Sequence, residues 1–349
     1  MEKHSDAART AGPAVREPGQ AAEGALEPGT VTTSGFRGFV RNLAVHDWVA
    51  LGFLTLAPLV LALSGTWTPE RQRMVLRHGL LCCLVAGAVV AGRIGNGTRS
   101  WFAGIYYRIA LASAVAVTYV LLGESLPLLS SGDLDRQLYH LDLRLFGFEP
   151  AVLMERWATP GTTDWFSFFY LCYFGLIFLF LMPLVFVSKS NRLAAELSFT
   201  VLLVYGIGQS LYVIVPGYGP LRALSDAFHH ELPGGAVFRG MHAFVSDAGA
   251  KKDIFPSLHT AIPTSFSLLG FRHRDVLGRS WMLVVFVTVN TVVATMFLRW
   301  HYLIDVIAGL VLAFFVVLAA GRVVSWEFER RERGGLPELW PRWPSRPRP

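Results

Sequence analysis

Apolar stretches long enough to bury a helix in lipid recur eight times along this chain of 349 residues. They run from Trp48 to Ser64, His78 to Ala91, Ile109 to Leu122, Trp165 to Val187, Leu193 to Val215, Ser257 to Phe271, Trp281 to Leu298 and Tyr302 to Ala320. A hydrocarbon core about 30 Å thick asks for roughly 17 to 25 helical residues, and somewhat fewer where the ends snorkel. The expected fold is therefore all-α, a polytopic transmembrane helix bundle of about eight spans. Hydrophobic residues at 53% and charged residues at 16%, with a mean hydropathy of +0.44, exclude an ordinary soluble domain.

An even number of spans puts both termini on one side. Arg93, Arg99, Arg108, Lys189, Arg192, Arg272, Arg274, Arg279 and Arg322 fall in loops or flanks that share that side, which the positive-inside rule makes cytoplasmic. Arg71, Arg73, Arg77, Lys251 and Lys252 lie in the longer opposite loops. Only four of the 31 basic residues are lysines, the bias of a GC-rich genome. The protein is expected in a bacterial plasma membrane, with any active site facing the extracytoplasmic side.

Residues 1–40 are rich in Ala, Gly, Pro, Glu and Thr without periodicity, and read as a disordered tail. Residues 41–108 hold two spans, 109–320 hold six, and 321–349 form a cytoplasmic tail of Arg, Trp and Pro suited to an anionic leaflet. No nucleic-acid partner is expected; membrane lipids are. Cys82, Cys83 and Cys172 lie inside spans and imply neither a disulfide framework nor a thiolate metal site.

Between Ser131 and Trp157, Leu134, Leu138, Leu141 and Leu145 share one helical face, with Asp133, Asp135, Arg136 and Arg144 off it. This is an amphipathic helix in the membrane interface, a lid over the bundle.

The chemistry concentrates in two stretches. "RWHYLIDVIAGL" places His301 and Asp305 four apart at the start of the last span. An ionised group at the bilayer centre costs on the order of 3 kcal/mol, so such a pair faces protein or a wet cavity. On one helical face the carboxylate can accept the imidazole Nδ1 proton and leave Nε2 as a nucleophile or base. "KKDIFPSLHTA" puts Pro256, Ser257 and His259 at a helix N-terminus, whose N–H groups attract anions. With eight spans both stretches reach the same membrane face. Two histidines, a carboxylate and a helix N-terminus suit a phosphate ester: one histidine attacks phosphorus and the other protonates the leaving oxygen. His229, His230 and His242 are too irregularly spaced for a metal site, so neither metal nor other cofactor is called for.

"PSLH" followed by "RWHYLIDVIAGL" resembles the second and third motifs of the type 2 phosphatidic acid phosphatase superfamily, most of all its inositol phosphorylceramide synthase branch, whose third motif has the form HYxxD. The resemblance runs from Ile109 to Ala320. It implies that His301 is the nucleophile, Asp305 orients it and His259 is the acid. The superfamily's first motif has no match; "VPGYGPLRALSD" offers Tyr218 and Arg222 in its place. Arg299 stands in for a missing Ser-Arg pair, and Leu258 replaces a glycine. Ser257 and Lys252 complete the candidate phosphate ligands, Ser257 also as a helix cap and Lys252 also as a headgroup anchor. The resemblance implies a lipid phosphate substrate whose phosphoryl group passes to water or to an alcohol such as inositol. The alternatives are a non-catalytic protein that binds or transports lipid headgroups, and a metal-dependent hydrolase.

Overall fold

A computed structural model of the chain describes residues 35–94, 101–178, 191–248 and 252–340, and every regular element among them is helical. Fourteen α-helices follow in order: α1 Phe36–Asn42, α2 Val45–Leu63, α3 Pro69–Arg93, α4 Trp101–Leu129, α5 Asp135–Phe146, α6 Pro150–Met154, α7 Pro160–Leu176, α8 Asn191–Ile214, α9 Pro220–Ala223, α10 Ala236–Ala248, α11 Leu258–Arg272, α12 Arg274–Leu277, α13 Ser280–Phe297 and α14 Leu303–Arg333. Local chemistry sets several boundaries. Thr68 accepts the Arg71 N–H ahead of Pro69, and Thr159 accepts the Thr162 N–H ahead of Pro160. Both are hydroxyl caps before a proline whose missing N–H costs nothing in the first turn. Gly147, in the left-handed region at φ 80°, ends α5.

α2, α3, α4, α8, α13 and α14 are long and apolar enough to cross a membrane, so this is an integral membrane protein with an all-α polytopic bundle. The other two expected spans coincide with α7 and α11. The end of the former, beyond Phe178, lies outside the described residues. With 15 residues, α11 is only about 22 Å long. Its N-cap, Ser257, and its first residue, Leu258, are buried, so it starts inside the bundle and not at its rim. Most of the expected N-terminal tail likewise lies outside the described residues.

α2, α3 and α4 pack on one another, α7, α11 and α13 on one another, and α8 joins the two groups through α2, α4, α11 and α14. Polar side chains stitch the spans: Trp165 Nε1 donates to Asn290 Oδ1 (3.0 Å), Thr291 Oγ1 to the Phe169 carbonyl (2.8 Å) and Gln209 Nε2 to the Val115 carbonyl (3.5 Å). α14 continues past Ala320 to Arg333, about 46 Å in all. At that far end Glu196 meets Arg192, Arg272 and His273. There too the chain after α14 returns, burying Leu339 and Trp340 against α2 and α4.

α5 is rotated about its axis relative to its leucine stripe. Asp135, Leu138 and Asp142 are buried, while Leu141 and Leu145 are exposed. The buried face thus keeps one leucine of the stripe and takes in two acids, which hold backbone. Asp135 accepts the N–H groups of Tyr218 and Gly219 (both 2.8 Å) and the Tyr302 hydroxyl (3.1 Å). Asp142 accepts those of Leu303 (2.7 Å) and Ile304 (2.9 Å).

Candidate active site

The segment between α13 and α14 sets the position of His301. The Thr295 carbonyl accepts the N–H groups of both Trp300 (2.9 Å) and His301 (3.1 Å), and Arg299 sits at φ 67°, a strained conformation for a non-glycine residue. His301 therefore precedes the helix. Asp305, in the first turn of α14, accepts the Tyr302 N–H at 2.9 Å, and His301 Nδ1 lies 3.5 Å from the same carboxylate oxygen. That distance is an ion-pair contact, longer than a formed N–H···O bond. The pair is thus assembled by a turn and a helix start, not by two residues stacked on a helical face.

His259 comes from the first turn of α11. Its ring stacks on Tyr170 (4.3 Å, 18°), lies 4.1 Å from Tyr173, and meets Phe174 edge-on at 5.9 Å. The His301 ring lies 6.3 Å away at 47°. His259 Nε2, His301 Nδ1, Asp305 Oδ1 and Arg299 Nε are buried polar atoms without a hydrogen-bond partner. Unsatisfied buried groups are costly and unusual. Four of them on neighbouring residues mark a place built for something other than stability.

α11 and α14 dock closely because Gly309 leaves room for the Ser257 carbonyl, which would lie 2.6 Å from an added Cβ. The Ser257 N–H donates to the Asp305 carbonyl (3.0 Å), and its hydroxyl accepts from Thr260 (3.1 Å) instead of capping the helix.

The remaining candidate phosphate ligands fall into two groups. Arg299 is buried, paired with Glu155 (3.2 Å) and stacked over Phe228 (3.8 Å). Arg222 is exposed and lies over the Tyr218 ring (3.8 Å), and the Lys252 ammonium lies 5.6 Å from the centre of the same ring. Lys252 donates to the carbonyls of Ser130 (2.9 Å) and Gly132 (3.0 Å). The Tyr218–Arg222 loop abuts the His301 segment, since Leu221 N–H donates to the Arg299 carbonyl (2.7 Å). Lys251 lies outside the described residues.

Sequence reading passed over Asp253, six residues before His259. It lines the same cavity as His259 and accepts the Tyr119 hydroxyl at 2.8 Å. Burial pushes its carboxyl above the usual range, while the Tyr119 hydroxyl and His301 oppose the rise. Burial also lowers His301 to about 4, against the pull of Asp253 and the Ile254 carbonyl, so its imidazole is neutral at physiological pH. Glu155 goes the other way: burial would raise it, but the N–H groups of His230 and His229, the His229 ring and Arg299 bring it down to about 2.

The bundle and this cluster define a class: a polytopic α-helical membrane protein with two imidazoles and a carboxylate gathered at one end of its core. The PAP2 superfamily model matches residues 136–319, more than half of the chain, and the chain belongs to that superfamily. Membership brings phosphatase or phosphotransferase chemistry on lipid phosphates. Comparison with curated proteins and with solved structures found no match. The matched residues begin in α5 and end in α14, so α1 to α4 and Trp340 lie outside them.

Proposed function

We propose that this protein transfers the phosphoryl group of a membrane lipid phosphate through a phosphohistidine on His301, without metal or other cofactor. The observation that carries the reading is the 6.3 Å separation of the His259 and His301 rings, with Asp305 3.5 Å behind the latter. In the first step His301 Nε2 attacks phosphorus. The bond from phosphorus to the lipid oxygen breaks, and His259 gives that oxygen its proton. In the second step an acceptor hydroxyl attacks phosphorus as His259 takes its proton, and the P–N bond breaks to restore His301. Asp305 steadies the positive charge on the ring while it carries the phosphoryl group. Arg299, Arg222, Lys252, Ser257 and Tyr218 hold the phosphate oxygens as charge builds.

The acceptor is either water, which makes the protein a lipid phosphatase, or an alcohol such as inositol or a lipid hydroxyl, which makes it a phosphotransferase. The site faces the extracytoplasmic side of a bacterial plasma membrane. Purified protein given a lipid phosphate, with and without inositol, tests both steps. Free phosphate as the sole product under both conditions rejects transfer. Undiminished turnover in EDTA and a rapid-quench label mapped to His301 are the expected results. Lipid phosphate binding with no turnover under any of these conditions would reduce the protein to a headgroup binder.

A further inference from the structure

A cavity of about 470 Å³ descends from the site between α4, α7 and α8. Its upper end holds Tyr119, Tyr212, Asp253 and His259. Its shaft is apolar, walled by side chains such as Ala112, Ala116, Phe178 and Leu202. Tyr173 and Tyr205 also project into it, but their hydroxyls bond each other at 2.6 Å and ask nothing of a ligand. Arg108, Ser198 and Trp340 form the floor, with the guanidinium of Arg108 over the Trp340 ring.

The dimensions decide what fits. From Arg108 to Val120 along α4 is about 18 Å, and from Ser198 to Tyr212 along α8 about 21 Å. One leaflet of hydrocarbon is about 15 Å deep. The shaft is thus about as long as an extended tail in one leaflet, and its volume leaves room for a methylene chain along it.

We propose that this shaft holds one hydrocarbon tail of the lipid phosphate, with its phosphate end at His259 and Asp253 and its terminal methyl toward Trp340. This deepens the proposed function and rests on it. The depth of the shaft is set by α4 and Trp340, which the superfamily match does not include, so tail selection belongs to this chain's own additions. A tail that leaves lipid for the shaft gains no hydrophobic energy; it gains only fit. Selectivity is therefore steric and sensitive to plugs.

Ala116 and Ala112 line the shaft one helical turn apart, with Ala116 nearer the site. The test uses purified full-length protein in nanodiscs, with octyl, dodecyl and hexadecyl phosphate as substrates. Ala112→Phe, whose plug sits deep enough to clear an octyl chain but not a hexadecyl chain, is expected to lower the hexadecyl-to-octyl ratio of kcat/KM by roughly tenfold or more, equivalent to about 1.4 kcal/mol. Ala116→Phe should lower that ratio less, because a plug close to the site obstructs both chains. Destabilisation alone would not produce that order. In parallel, hexadecyl phosphate carrying a diazirine on its last carbon should crosslink to the peptides of Arg108, Ser198 or Trp340, and Ala116→Phe should remove that crosslink. Unchanged ratios in both variants overturn the proposal while leaving the proposed function standing, and floor crosslinks alongside unchanged ratios would identify a resident lipid in the shaft instead. If the wild type turns over none of the probes, the proposed function has failed, and crosslinks on outward-facing surfaces such as Leu76 or Phe314 would then dispose of the shaft as well.

Discussion

The imidazole rings of His259 and His301 lie 6.3 Å apart at 47°, one from the first turn of α11 and the other from the turn ahead of α14. If His259 is the acid, its worth depends on the leaving group. His259→Ala should slow an alkyl phosphate by roughly 10² to 10⁴ and a nitrophenyl phosphate far less, because nitrophenolate leaves without a proton. His301→Ala should abolish both equally. Equal losses for the two substrates in His259→Ala would remove it from the acid role.

Asp142 reaches from α5 to the first N–H groups of α14 at 2.7 and 2.9 Å, two residues after His301. Its carboxylate thus caps the helix that follows His301. Asp142→Ala should cost about 1 to 2 kcal/mol in thermal unfolding and lower kcat more than it raises KM. Asp142→Asn keeps one acceptor oxygen and should recover part of both. An alanine variant with wild-type kcat would show that the cap serves stability alone.

Gly219 sits at φ 86°, and an added Cβ would come within 2.3 Å of the Trp300 carbonyl, immediately before His301. Gly219→Ala therefore meets both backbone strain and a clash with main chain that cannot swing aside. A loss of roughly 1 to 3 kcal/mol and a fall in turnover are expected. Gly240, in α10, has open space around its missing Cβ, and Gly240→Ala should match or slightly exceed the wild type in melting temperature. Equal melting temperatures for the two variants would contradict the close approach.

Much of the fold was legible because apolar length alone marks a span: six stretches return as helices long enough to cross a membrane. The short α11 escaped that logic, since its apolar stretch matches a span in composition but its start is sunk in protein. The leucine stripe of α5 was read correctly as amphipathic, yet the buried face is turned from it, keeping Leu138 and taking in Asp135 and Asp142. Backbone N–H groups at Gly219 and Leu303 need acceptors, and carboxylates meet that need where leucines cannot. His259, His301 and Asp305 could be picked out as intramembrane ionisable groups. Asp253 could not, because nothing in its spacing says that the loop folds it onto the cavity beside His259. Its signal was available only in hindsight, as an acid six residues ahead of a candidate histidine.

Glu149 stands behind this cluster. Burial, with Asp142 and Asp305 as neighbouring charges, pushes its carboxyl up to about 8 against the one N–H bond it accepts from Ala151. The folded protein thus keeps a proton that the unfolded chain releases near pH 4.5. Stability from this group is complete below about 4.5 and is lost as pH rises toward 8, the reverse of a salt-bridged carboxylate. Glu149→Gln mimics the protonated form and retains the Ala151 acceptor. Melting temperatures measured from pH 5 to 9 should therefore decline on the alkaline side in the wild type and flatten in the variant. A variant that follows the wild-type curve would mean that Glu149 is already ionised in the fold.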